Sequence, residues 1–322
     1  MMGGYNLSPG PYARYIEMFI EYKKGKGEKG CHNLLSACRK MSAQLSAEQD
    51  ASELGERLVR SMLDRIGEES DAARAYRVSV MRQFCSFLNT LGVPCWKVPA
   101  RYFTAPRSDF RPYIFSDWEV SALLEAADSL APAVNGAHGY VKVYPVLVRL
   151  LLSSGLRISE ALALDIDDFD ADVATVVVTN SKNGVSRTVP LSEGMSARMA
   201  EYVRDAERDA GPLFQSPRTG RAYSYDAARH MFRKLYDAAG IRTEAGKRPR
   251  IHDCRHWFCT RSLDKMLASG MSVYEAVPIL AAYVGHVNYA DTEKYIHLTR
   301  TDHDSFLAME AELGRLIPKA VV

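Results

Sequence analysis

Ser154-Gly155-Leu156-Arg157-Ile158-Ser159-Glu160, then Val173 to Thr179, Ser181-Lys182-Asn183-Gly184 and Val185 to Leu191, lay out a helix end followed by a β-hairpin. The run from Val141 to Ser154 is apolar enough for a buried helix, and Gly155 is placed to stop it. Ile158 to Leu164 reads as a short helix directly after Arg157. Arg157 sits among Leu156, Ile158 and Leu162, where a charge without a partner would be costly. Val173 to Thr179 is β-branched, Asn183-Gly184 is a strong hairpin turn signal, and Val185 to Leu191 returns as the partner strand. The acids Asp165, Asp167, Asp168, Asp170 and Asp172 between helix and strand read as a solvated loop. The chain therefore reads as mainly α with a small antiparallel β-sheet.

Downstream, helical periodicity resumes at Gly194, with breaks near Gly211, Gly220, Gly240 to Pro249, Gly270, Gly285 and Thr299. Upstream, Tyr12, Tyr15, Ile16, Phe19 and Ile20, then Val80, Phe84, Phe87 and Leu88, recur at helical spacing and predict an all-helical opening. Pro94, Pro99, Pro106 and Pro112 interrupt it, since proline cannot continue a helix interior. Ser116 followed by Glu119 is a capping box that opens the next helix. The expected organisation is a helical domain over residues 1–105, a linker over 106–115 and a second domain over 116–322.

With 322 residues, 47% of them apolar, the chain can bury more than one core. A formal net charge of +2 does not by itself announce a nucleic-acid binder, so the distribution of charge must carry that argument. Arg242, Lys247, Arg248, Arg250, Arg255 and Arg261 crowd one stretch, and Arg74, Arg77 and Arg82 lie between core positions of one helix. Either group suits an anion, and either is also compatible with a solvated basic face. Cys31, Cys38, Cys85, Cys95, Cys254 and Cys259 form no CxxC pair and read as reduced thiols, consistent with a cytoplasmic protein. No apolar run reads as a signal peptide or membrane span.

The chemistry concentrates in Arg157, Lys182, His252, Arg255, His286 and Tyr295. Cutting a phosphodiester takes an in-line nucleophile, charge stabilisation on the non-bridging oxygens and a proton for the leaving oxygen. Arg157 and Arg255 offer planar forks that stay charged, suited to an anion clamp. Lys182 lies beside a hairpin turn, from which an ammonium group crowded by arginines could serve as a general acid; hairpin tips also collect lysine for solubility. His252, Arg255 and His256 share one helical face, and His286 follows Gly285 at a helix boundary. Tyr295 is a nucleophile only by company, because a phenol with a pKa of about 10 needs a base or a cationic field to attack at neutral pH.

In order and spacing, the blocks Ser154 to Glu160, Ser181 to Gly184 leading to Arg187 and Val189-Pro190-Leu191, His252-Asp253-Cys254-Arg255-His256, Val284-Gly285-His286, and Thr292 to Tyr295 with His297 resemble the tyrosine recombinase (phage integrase) family. The resemblance is close over residues 112–300 and looser in the helical opening, where Arg77, Arg82, Phe84 and Leu88 look like part of a SAM-like core-binding domain. It implies an α+β catalytic domain that, with the core-binding domain, clamps double-stranded DNA. It implies that Tyr295 forms a 3′-phosphotyrosyl link, that Arg157, Arg255 and His286 stabilise the phosphorane, that Lys182 is the general acid and that His252 assists proton transfer. DNA contacts are expected from Arg74, Arg77, Arg82, Arg187, Arg248 and Arg250. No cofactor or metal is implied. Self-association on recombination sites, as a tetramer in synapsis, is implied, with Phe306, Leu307, Met309, Leu313 and Ile317 on a helix that docks on a neighbouring protomer.

Two departures from the compact family pattern stand out. Lys265 to Val277 reads as extra helix length, and no separate arm-binding domain precedes the helical one, which points to a transposon, plasmid or chromosomal recombinase. Competing readings are a type IB topoisomerase, a DNA-binding regulator on the same fold, and a metal-dependent hydrolase using His252, His256, His286 and His297. The last lacks a carboxylate or cysteine set at ligand spacing, apart from Cys254.

Overall fold

The computed structural model describes residues 5–26, 31–48, 50–106, 112–132, 139–179, 186–286, 292 and 295. The chain divides into two compact units, Met1–Phe110 and Arg111–Val322.

In the first unit, α1 (Ala13–Gly25), α2 (Cys31–Leu45), α3 (Glu56–Leu63) and α4 (Asp71–Thr90) turn their apolar stripes onto one core. Ile16, Phe19 and Ile20 of α1 meet Phe84 and Leu88 of α4, with the Phe19 and Phe84 rings edge to face at 5.5 Å. Ser70 caps α4 by accepting the Ala73 N–H. The segment after α4 returns along α3's approach, where Leu54 and Cys95 pair as an isolated parallel bridge.

The second unit begins with α5 (Asp117–Asp128), whose start carries the expected capping box between Ser116 and Glu119. It packs on α6 (Gly139–Ser154), a helix buried along most of its length, and on α9 (Tyr225–Ala238). After Gly155 come α7 (Ile158–Ala161), a 3-10 turn (Ile166–Asp168) and the strands β1 (Phe169–Asp170), β2 (Thr175–Val178) and β3 (Arg187–Pro190), antiparallel in the order β1-β2-β3. Val176 pairs with Val189, and both are fully buried, so the sheet lays one face on the helical core. α8 (Glu193–Asp205), α10 (His252–Ala268) and α11 (Val273–Val284) complete the unit.

Strand β1 is absent from the sequence reading, because a two-residue strand has no periodicity to detect. The acidic run around it is solvated as expected, with Asp165, Asp167, Asp170 and Asp172 exposed, and it is built of capped turns. Asp165 N–H donates to the Asp168 carboxylate at 2.9 Å, and the Asp170 carboxylate accepts from the N–H groups of Asp172 and Val173 at 2.9 and 3.1 Å. β2 is shorter than the expected Val173 to Thr179 because Ala174 adopts φ 53° and Val173 faces solvent. The extra length between Arg255 and His286 is the end of α10, the turn at Gly270 and the start of α11. The hairpin tip with Lys182, Asn183 and Gly184, and the segment with Phe306 to Ile317, lie outside the described residues.

Candidate active site

Gly155 sets the geometry at the end of α6. Its φ of +62° is a left-handed conformation, and a Cβ there would lie 2.3 Å from a ring carbon of Phe258 on α10. The chain thus passes directly against α10 and delivers Arg157 to the N-terminus of α7. Arg157 donates its backbone N–H to Glu160 Oε2 at 3.0 Å and Nη1 to Oε1 at 2.8 Å. Arg187, from β3, donates Nη2 and Nη1 to the same carboxylate at 2.9 and 3.3 Å, and its Nε donates to the Tyr283 carbonyl at 3.1 Å. Burial pushes the Glu160 carboxyl up, but the Arg187 guanidinium, the Arg157 N–H and the Arg157 guanidinium outweigh it and hold the pKa at about 2.

Arg255 lies in the first turn of α10 and is 1% exposed. Its Nη1 donates to the Gly155 carbonyl at 2.8 Å and its Nη2 to the Val284 carbonyl at 2.6 Å, while Nε has no partner among the described residues. One side chain thereby ties the end of α6 to the end of α11. Burial, then repulsion from Arg157, lowers its pKa to about 10, which leaves it cationic at neutral pH. Among the described residues, Arg157, Arg187 and Arg255 surround the single carboxylate of Glu160, so this corner is net cationic and suited to an anion.

His252 opens α10 with one edge in solvent. Desolvation of the ring and the Arg255, Arg250 and Arg157 guanidinium groups push its pKa down to about 4. Its ring meets the edge of His256 at 4.8 Å. Gly285 closes α11 in the left-handed conformation, φ +67°, and turns the chain to His286. His286 Nδ1 lies 2.7 Å from Thr292 Oγ1, and its ring runs parallel to that of Tyr295 at 6.4 Å. Tyr295 is fully buried against Cys259, Leu263, Val277 and Leu280, and its hydroxyl lies 2.8 Å from His256 Nδ1. The phenol also feels the field of Arg255.

Arg157, His252, Arg255, His286 and Tyr295 are therefore brought together; Lys182 lies outside the described residues. Two expected DNA contacts are corrected. Arg77 is 3% exposed and bonded to Glu69 at 2.7 Å and to the carbonyls of Met62 and Asp64, so it stitches α4 to the end of α3. Arg187 is 10% exposed and belongs to the Glu160 pair. Arg74 donates to the Leu63 carbonyl at 3.1 Å and lies over Phe103, and Arg82 donates to the Ala100 carbonyl at 2.7 Å; both stay half-exposed. Arg248 and Arg250 are exposed at Asp237 and Asp253. Glu160, His256 and Thr292 are missing from the expected site, although Glu160 at i+3 from Arg157 and His256 at i+4 from His252 are both readable as shared faces.

The sequence profile of the phage integrase family matches residues 116–302, which includes every block above. The chain belongs to the phage integrase family. It is a tyrosine-type site-specific recombinase, an enzyme that breaks and rejoins DNA. It is 31% identical over 248 residues to a Sinorhizobium fredii protein named as an integrase/recombinase, y4rE, covering 74% of this chain and 76% of that one. To the tyrosine recombinase XerD of Caulobacter vibrioides it is 28% identical over 257 residues, covering 76% and 77%. The fold matches that of the Tn1549 transposon integrase in complex with transposon right end DNA, with a TM-score of 0.62 at 18% identity, over 94% of this chain and 99% of that one. It also matches lambda integrase residues 75–356 bound to DNA, with a TM-score of 0.62 at 16% identity, over 87% and 95%. No helix among the described residues is long and apolar enough to cross a membrane.

Proposed function

We propose that this recombinase cleaves one DNA strand by attack of Tyr295 on phosphorus, forming a 3′-phosphotyrosyl link and releasing a 5′-hydroxyl. The observation that carries this reading is the meeting of the Tyr295 phenol with α10, inside the field of Arg255. Arg157 and Arg255 neutralise the non-bridging oxygens, His286 donates to them, Lys182 protonates the 5′ oxygen and His252 takes part in proton transfer. Glu160 and Arg187 hold Arg157 in place. The energy of the phosphodiester is retained in the protein–DNA link, so resealing needs no nucleotide cofactor. Reversal with a second strand gives recombination, and the reverse with the same strand would give topoisomerase-like relaxation.

The unit of α1 to α4 is proposed as the second DNA-binding element, with Arg74 and Arg82 towards phosphate, and Arg248 and Arg250 exchange their carboxylate partners for phosphate on the catalytic unit. The relative named as an integrase/recombinase supports service to a mobile element; a chromosomal resolution system is the other reading. Assembly is proposed as a tetramer on two paired sites in the cytoplasm. The test is incubation with a nicked suicide duplex followed by a denaturing gel. The unsubstituted chain should form a covalent adduct, and Tyr295→Phe should bind the duplex and form none; an adduct with Tyr295→Phe would refute the assignment.

A further inference from the structure

We propose that His256 is a catalytic residue of this chain, the acceptor of the Tyr295 phenolic proton as the phenol attacks phosphorus. The inference rests on Tyr295 being the nucleophile. His256 Nδ1 and Tyr295 Oη are 2.8 Å apart, a hydrogen bond to the atom that would react. When the neutral imidazole carries its proton on Nε2, Nδ1 offers a lone pair and the phenol donates to it. His256 is 3% exposed and Tyr295 is fully buried, so bulk water is not at hand to take the proton. The proton therefore leaves to His256 as the bond to phosphorus forms.

The charged and titratable groups around the pair fit this role. Arg255 precedes His256 on α10, His252 meets its ring edge at 4.8 Å, and His286 lies parallel to the Tyr295 ring at 6.4 Å. A protonated His256 beside Arg255 would be unfavourable in the free site, whereas the phosphorane gains negative charge at the same moment, which offsets it. His252, whose pKa desolvation and three guanidinium groups lower to about 4, is a weak proton acceptor at the start of the same helix. In cleavage the Oη–P bond forms, the P–O5′ bond breaks, the phenolic proton moves to Nδ1 and the 5′ oxygen takes a proton from Lys182. On resealing, the 5′-hydroxyl attacks and gives its proton back to Lys182, the P–Oη bond breaks, and Nδ1 returns the phenolic proton to Oη.

The test follows single-turnover adduct formation by the full chain on the nicked suicide duplex, with His256→Asn and His256→Ala, each carrying either tyrosine or 3,5-difluorotyrosine at position 295. Loss of a positioned base is expected to slow the step by about 10²- to 10⁴-fold with duplex binding retained. The more acidic fluorinated phenol should restore at least about tenfold of that loss in both variants while changing the unsubstituted chain little. A 5′-bridging phosphorothiolate, whose leaving sulfur needs no proton, should restore neither variant. Slowing that fluorination does not relieve, or cleavage as fast as or faster than in the unsubstituted chain, would overturn the proposal. An unsubstituted chain that forms no adduct would instead remove the Tyr295 reading itself. Should neither variant fold, ¹⁵N NMR of His256 in the unsubstituted chain decides: an unprotonated Nδ1 is expected, and a protonated Nδ1 contradicts the assignment.

Discussion

Glu160 shows how much of the site depends on one carboxylate. It is nearly buried and receives two guanidinium groups and a backbone N–H, so Glu160→Gln leaves Arg187 and Arg157 without a counter-charge. Breaking such a pair should lower stability by about 3 kcal/mol in chemical denaturation and slow cleavage through the loss of Arg157's placement. Gly155→Ala combines a left-handed backbone with a Cβ driven into Phe258 and should cost roughly 2–4 kcal/mol, read as a fall in Tm. His252 makes a pH prediction whose sign follows from its lowered pKa of about 4. The unfolded chain binds this proton near pH 6.5 and the folded chain does not, so the group removes stability as pH falls from about 6.5 to about 4. His252→Asn should flatten that acid limb by about 1 kcal/mol or less, since the exposed ring edge lets solvent screen the repulsion; an unchanged limb contradicts the assigned environment. Arg157 is legible in sequence because its apolar neighbours make a solitary charge unreasonable, and Arg255 because it shares a helical face with His252 and His256. Arg77 and Arg187 are misread because the partners that bury them, Glu69 and Glu160, are brought in by tertiary structure.

At the scale of elements, helix ends are legible and short strands are not. The α5 capping box, the stop at Gly155 and the turn at Gly285 each rest on one residue type with one physical reason, and each is found where expected. Strand β1 and the capped acidic turns depend on pairing partners that no local pattern reveals. The meeting of α10 with Tyr295 is of the second kind: the blocks are readable, but which histidine faces the phenol is set by packing of Tyr295 between α10 and α11. Ser116→Ala serves as the control at this scale. It should cost about 1 kcal/mol of stability through the lost cap and leave the rate of adduct formation unchanged.

For the whole molecule, a net charge of +2 means that DNA affinity must come from local clusters rather than from the overall field. Binding should therefore fall log-linearly with salt, with a slope set by the few phosphates neutralised, and Arg74→Ala and Arg82→Ala should each make that slope shallower in filter-binding titrations. Removing residues 303–322 should leave binding to one site intact and abolish pairing of two sites; full recombination by the shortened chain would contradict the proposed assembly. The whole reaction turns on a covalent bond between one phenol and DNA. Mass spectrometry of the peptide that remains on the 3′ end after nuclease and protease digestion of the suicide-duplex adduct detects that bond. A nucleotide joined through phosphate to Tyr295 is the predicted result; attachment at any other residue, or no linked peptide from an active chain, would contradict it.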